Sequence, residues 1–147
     1  MKSKQVEKNV LYNARSMFEL VSDVEKYPLF VPACKSLKII NKYEKEEITY
    51  IDATMRVGYG ILNEFFTSHI TINKHNFTID VVNKDGPFVK LNNYWKFEDE
   101  KQGCKIKFNI EFEAKQSLTG SIINLMFEKV FLKYMDAFEK RAHQIFK

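Results

Sequence analysis

The last thirty residues constrain this chain most. Between Ile122 and Met135 only Asn124, Glu128, Lys129 and Lys133 are polar, and no proline or glycine interrupts the run, which predicts one long C-terminal helix. At about 100° per residue, Ile123, Phe127, Val130, Tyr134, Phe138 and Ile145 share one face, flanked by Met126, Phe131 and Ala137. A stripe that wide needs a whole sheet to cover it. Arg141 falls on the same side, so either the helix leaves the core near its end or the arginine snorkels. On the opposite side Leu125 and Leu132 stand among Glu128, Lys129 and Lys133, with Ile122 nearby. A helix packed on one sheet should be wet there. Apolar residues beside lysines suit peripheral contact with an anionic membrane surface; a homodimer seam, or cover by short N-terminal helices, are the other readings of this face.

The rest of the chain supplies the sheet. Val6, Val10 and Tyr12 suggest a first strand over Gln5 to Tyr12, imperfect because Lys8 falls on its apolar side. Asn13 can cap a short helix in which Met17, Leu20, Val21 and Val24 recur at helical spacing, and Pro28 and Pro32 confine the next stretch to a second, shorter turn. Strands are then expected over Ser36 to Tyr43, Ile48 to Val57, Ile61 to Ile72, Phe77 to Asn83, Leu91 to Phe97 and Cys104 to Ala114. In the last of these Cys104, Ile106, Phe108, Ile110, Phe112 and Ala114 alternate with Lys105, Lys107, Asn109, Glu111 and Glu113, so one face is buried and the other wet. Short connections rich in Gly, Asn and Asp, such as Asp85-Gly86-Pro87, imply an antiparallel meander.

A strand, two short helices, six strands and one long helix make an α+β, helix-grip arrangement: a curved antiparallel sheet of about seven strands around the C-terminal helix. No repeat or composition shift marks a boundary, so residues 1–147 are expected to form one domain. Such a sheet often leaves an apolar cavity against its helix, opening beside the short helices and loops.

Composition narrows the function classes. The chain carries a net charge of +4, but only Arg15, Arg56 and Arg141 of its 23 basic residues are arginine. Arginine is the usual residue for bidentate base and phosphate contacts, so sequence-specific DNA binding is not expected. A lysine-rich surface suits anionic lipid or a ribosomal surface. Cys34 and Cys104 belong to no metal-ligand or disulfide spacing, and no apolar run is long enough for a signal peptide or a spanning helix. A cytoplasmic protein, peripheral at the inner membrane at most, is the expectation. His69, His75 and His143 are scattered, and no glycine-rich phosphate loop or nucleophile elbow occurs, so neither a metal, a required cofactor nor a catalytic residue is signalled. Asp52, Arg56 and Glu64 lie on predicted strands and would face solvent under simple alternation.

The segment Phe18-Glu19-Leu20-Val21-Ser22-Asp23-Val24-Glu25-Lys26-Tyr27-Pro28-Leu29-Phe30-Val31-Pro32-Ala33-Cys34 resembles the signature of the Coq10/RatA-like START-domain family, part of the polyketide cyclase/dehydrase and lipid transport superfamily. Asp85-Gly86-Pro87-Phe88-Val89-Lys90-Leu91 with Trp95-Lys96-Phe97 after it, and more weakly Phe66-Thr67-Ser68-His69-Ile70, resemble its other motifs. Ala33 stands where an aromatic is common and Asn93 where a glycine is common.

The resemblance implies a START/Bet v 1-like helix-grip fold that holds ubiquinone, another polyprenyl quinone or a related lipid, in support of respiratory electron transport or quinone synthesis. Its other implication is a ribosome-binding regulator of the RatA type that blocks association of the ribosomal subunits. A cyclase-type enzyme is favoured only by superfamily analogy. The residues expected to line the hydrophobic cavity or its entrance are Tyr27, Phe30, Pro32, Phe66, Phe88, Leu91, Trp95, Phe127, Val130 and Phe131, and those expected to meet a membrane are Ile122, Leu125, Lys129, Leu132 and Lys133. The two proline-containing loops would border the entrance, with Tyr27, Phe30, Pro32, Phe88 and Leu91 at its rim.

Overall fold

The computed structural model describes residues 2–60, 62–115 and 133–146 of the protein. Strand β1 (Lys2–Val10) leads into helix α1 (Ala14–Ser22) and a 3-10 turn (Val24–Leu29). Next come strands β2 (Cys34–Lys45), β3 (Ile48–Tyr59), β4 (Leu62–Asn73), β5 (Thr78–Asp85), β6 (Phe88–Asp99) and β7 (Cys104–Ala114), and helix α2 (Tyr134–Ile145) closes the described chain. The sheet has seven strands in the order β1-β7-β6-β5-β4-β3-β2, every neighbouring pair antiparallel. This is the helix-grip, α+β architecture. Register shifts at Ile39/Asn41, Thr67/Ser68 and Phe88/Lys90 add the local bends that let such a sheet curl.

Alternation decides which face is the core. On β7, Cys104, Ile106, Phe108, Ile110 and Phe112 are all buried, while the outward Lys107 and Lys105 pair with Glu98 of β6 and with Glu100 just beyond it. On α1 the Asn13 side chain accepts from the Ser16 amide at 2.8 Å, and Met17, Leu20 and Val21 are buried. The expected strand over Gln5 to Tyr12 runs instead over Lys2–Val10, and Tyr12 leaves the ladder to bond the His143 ring of α2 at 2.5 Å.

Lys8 explains the flaw in the β1 pattern. Its ammonium reaches under α2 to Asp136 at 2.7 Å and Glu139 at 2.8 Å, so an inward lysine is neutralised by the helix that covers it. These hydrogen bonds raise the Lys8 pKa above its usual value. A raised folded-state pKa stabilises the fold fully below the unfolded value and loses that contribution as pH rises through the folded one. Lys8→Met is therefore expected to cost about 1 kcal/mol at neutral pH, and the deficit relative to wild type should shrink as pH rises past the ordinary lysine range and through the raised folded-state value, as read from denaturation midpoints across pH.

The far end of α2 corrects one expectation. Ile145 does not belong to the buried stripe; it is 46% exposed, and Ala142, fully buried, takes the inward place. The helix ends at Ile145, and it is Phe146 just beyond it that packs inward, its ring 5.5 Å from that of Tyr12. Arg141 stays over the core, its guanidinium 5.4 Å from the centre of the Phe30 ring.

Candidate functional site

A cavity with about 100 Å³ of free volume lies between the sheet and α2. Its floor is the inner face of five strands. Ala53, Met55 and Val57 come from β3, Phe66, Ser68 and Ile70 from β4, Ile79 and Val81 from β5, Leu91, Asn93 and Trp95 from β6, and Phe108 and Ile110 from β7. Tyr134 of α2, together with Val24, Tyr27 and Pro32 of the segment after α1, closes it from above, with Leu37 at the β2 edge. The period-two spacing within each set is what a strand needs to aim its side chains inward together.

The loop between the 3-10 turn and β2, which carries Pro32, is held by main-chain bonds at both ends. The Val31 amide donates to Tyr27 O at 2.8 Å, the Cys34 amide to Val31 O at 3.2 Å, and the Gly58 amide to Ala33 O at 2.9 Å. The Tyr27 hydroxyl donates to the Val21 carbonyl, and its ring meets Phe138 edge-on at 5.3 Å and Phe30 at 6.0 Å. Ala33 adopts φ 66°, a left-handed conformation in which a Cβ is strained. Ala33→Gly is expected to raise stability by about 0.5–1 kcal/mol, seen as a higher denaturation midpoint with an unchanged slope.

Burial sets the chemistry. Desolvation pushes the Tyr27 phenol well above its ordinary pKa, with smaller contributions from Tyr134, Cys34 and Asp23, and pushes the Tyr134 phenol up as well. Both remain protonated at neutral pH. Burial likewise raises the Cys34 thiol to about 11, so it is not a thiolate nucleophile there. Among the described residues no group of three or more His, Cys, Asp or Glu is placed to hold a metal ion. Asp52 sits on the outer face, with His69 at 2.8 Å and Lys84 at 3.6 Å, and its pKa is lowered by the His69 hydrogen bond. Arg56 shares that face and reaches Asn63 at 3.4 Å. Glu64, like Asp52 and Arg56, is not part of the cavity wall.

The expected cavity residues divide. Tyr27, Pro32, Phe66, Leu91 and Trp95 are brought together on the wall. Phe30 is outside it, packed between Tyr27, Phe138 and the Arg141 guanidinium. Phe88 is 1% exposed and lies between Phe66 at 5.9 Å and Phe112 at 5.8 Å, so it fills the core beside the cavity rather than bordering an opening. The reason is the register shift at Phe88/Lys90, which turns its ring inward. Phe127, Val130 and Phe131 lie outside the described residues, as do Ile122, Leu125, Lys129 and Leu132; Lys133, just before α2, is exposed. Ser68, Asn93, Met55 and Val81 also line the cavity, and the signal that finds them is the pairing of β3, β4, β5 and β6 once their registers are fixed.

Residues 10–139 match the family described as polyketide cyclase / dehydrase and lipid transport. The ribosome association toxin RatA of Rickettsia prowazekii is 31% identical, the match covering 100% of this chain and 100% of that protein. The mitochondrial coenzyme Q-binding protein COQ10 homolog B of Xenopus laevis is 29% identical over 92% of this chain but only 55% of its own length. Among solved structures, an 18 kDa protein from Caulobacter crescentus superposes with a TM-score of 0.81 at 33% identity, covering 99% of this chain and 98% of that one.

Proposed function

The chain belongs to the polyketide cyclase/dehydrase and lipid transport family, in the group that takes in RatA and Coq10-type proteins, and on that premise we propose that it is a one-domain, non-enzymatic carrier for a hydrophobic ligand, a polyprenyl quinone such as ubiquinone or a related lipid. The observation that carries this reading is the cavity itself, walled mainly by aliphatic and aromatic side chains, with Ser68 and Asn93 polar and no charged group among the described lining residues. Water gains little from such a space, whereas an apolar ligand exchanges its hydration for contact with it. Protonated phenols and a raised thiol suit holding a ligand better than transforming one. At about 100 Å³ the free space takes a head group and not a long tail, which would run out beside the helix. Loading would occur in the cytoplasm at the face of the inner membrane; among the described residues no helix is long and apolar enough to cross it.

The full-length match to a ribosome association toxin favours a second reading, a regulator that binds a ribosomal subunit. One experiment separates the two. Organic extraction of the purified protein with mass spectrometry of the extract should release a polyprenyl quinone or similar lipid in near-stoichiometric amount. An empty protein that instead co-sediments with free ribosomal subunits would replace the carrier with the regulator.

A further inference from the structure

The apolar cavity carries one polar corner, at the place where the sheet comes apart. Strands β5 and β6 pair only from Thr78↔Lys96 to Val81↔Asn93, although β5 continues to Asp85 and β6 begins at Phe88. Beyond Val81 asparagine side chains replace the ladder: the Asn83 amide donates to Asn92 Oδ1 at 3.2 Å, and Asn83 Nδ2 donates to the Phe88 carbonyl at 3.3 Å. Asn83 Oδ1 is left buried with no hydrogen-bond partner among the described residues. Across β4 its register neighbour is Ser68, on the cavity wall, whose hydroxyl makes no hydrogen bond among the described residues. On the other side of β5 stands Asn93, also on the wall. Its Oδ1 accepts from Trp95 Nε1 at 3.0 Å, which fixes the orientation of the amide and leaves its N–H groups for something else.

We propose that the two polar residues of this wall, Ser68 and Asn93, with Asn83 behind them, form the subsite for the ligand's head, and that the head is neutral and bears oxygen atoms on two sides, as a quinone ring does. The inference rests on the carrier reading and goes beyond it by specifying the polar end of the ligand. Two unused donors, Ser68 Oγ–H and Asn93 Nδ2–H, straddle β5 at two strand spacings, roughly 10–12 Å between their backbones, and each suits a carbonyl oxygen. A carboxylate or phosphate head is disfavoured because no lysine or arginine is among the described lining residues, and an ion placed there would have no counter-charge.

Trp95, the single tryptophan of the chain, lines the cavity and reports occupancy by fluorescence. Three probes of similar chain length, delivered from cyclodextrin at pH 8, test the corner: decyl-ubiquinone, dodecanoate and dodecylbenzene. Decyl-ubiquinone is expected to bind at least about ten-fold more tightly than either of the others. Ser68→Ala, which breaks no bond among the described residues, should weaken decyl-ubiquinone about five- to ten-fold, leave dodecylbenzene unchanged and keep the melting temperature. Asn93→Asp keeps an acceptor for Trp95 but replaces the donor with an oxygen, and should weaken the quinone further. Equal affinities for all three probes, tightest binding by dodecanoate, or a Ser68→Ala loss shared by dodecylbenzene each overturn the subsite while leaving the carrier intact. No binding by any probe removes the carrier reading and the subsite with it.

Discussion

Phe138→Ala is expected to lower the stability of the fold by about 3–5 kcal/mol, the range for emptying a well-packed aromatic site. Phe138 is 1% exposed and is the point where the helix, the loop and the sheet meet: its ring lies 5.3 Å from Tyr27, 5.3 Å from Phe30, 5.2 Å from Trp95 and 6.1 Å from Tyr134. Three of those neighbours are edge-on, a geometry that contributes beyond area alone. Removing the ring unsupports Tyr27 and Trp95, both on the cavity wall, so the wall should loosen together with the fold. In a protein of this size the loss corresponds to a fall in melting temperature of roughly 8–15 °C. Phe138→Leu should recover more than half of it. A fall of only two or three degrees for the alanine variant would mean that α2 is not clamped to the sheet through this ring.

Phe138 was legible in the sequence, and so was most of its surroundings. A helix of period 3.6 facing strands of period 2 announces its buried stripe residue by residue, and Tyr134, Phe138 and the inner row of β7 come from that counting alone. Counting fails where a side chain's fate depends on a distant partner. Lys8 breaks the β1 pattern because Asp136 and Glu139, more than a hundred residues away in sequence, come to meet it. Phe88 looks like a gate when only the turn before it is considered, and becomes core once the register shift at the start of β6 rotates it against Phe66 and Phe112. Ser68 and Asn93 read as ordinary strand residues until the order β4-β5-β6 sets them on one floor. The unpaired stretch between β5 and β6, which makes the polar corner, depends on how the two strands diverge beyond Val81 and on the register shift at the start of β6, neither of which alternation along one strand reveals.

The corner where the chain turns from β1 into α1 should tolerate an added methyl poorly. Gly103, just before β7, has φ +80°, and a Cβ added there would lie 1.8 Å from the Val10 carbonyl oxygen and 2.8 Å from its carbon. Both are backbone atoms and cannot swing away. Val10 pairs with Cys104 in the β1–β7 ladder, and a few residues on, the Ala14 amide at the start of α1 donates to Asp99 Oδ1 at 2.8 Å, so the same corner fixes the strand, the turn and the helix. Gly103→Ala must therefore push the end of β1 off β7 as well as hold a strained φ. Left-handed strain contributes about 1–3 kcal/mol and forced displacement of packed backbone a similar amount, for a total of about 3–5 kcal/mol. Gly60 supplies the control, since it has φ +59° but nothing among the described residues within 4 Å of its would-be Cβ. Gly60→Ala should then cost only about 1–2 kcal/mol, the backbone strain by itself. Urea denaturation of both variants gives the comparison directly: a difference of about 2 kcal/mol or more is expected, and equal midpoints would show that the end of β1 yields to the added methyl instead of being held by the turn.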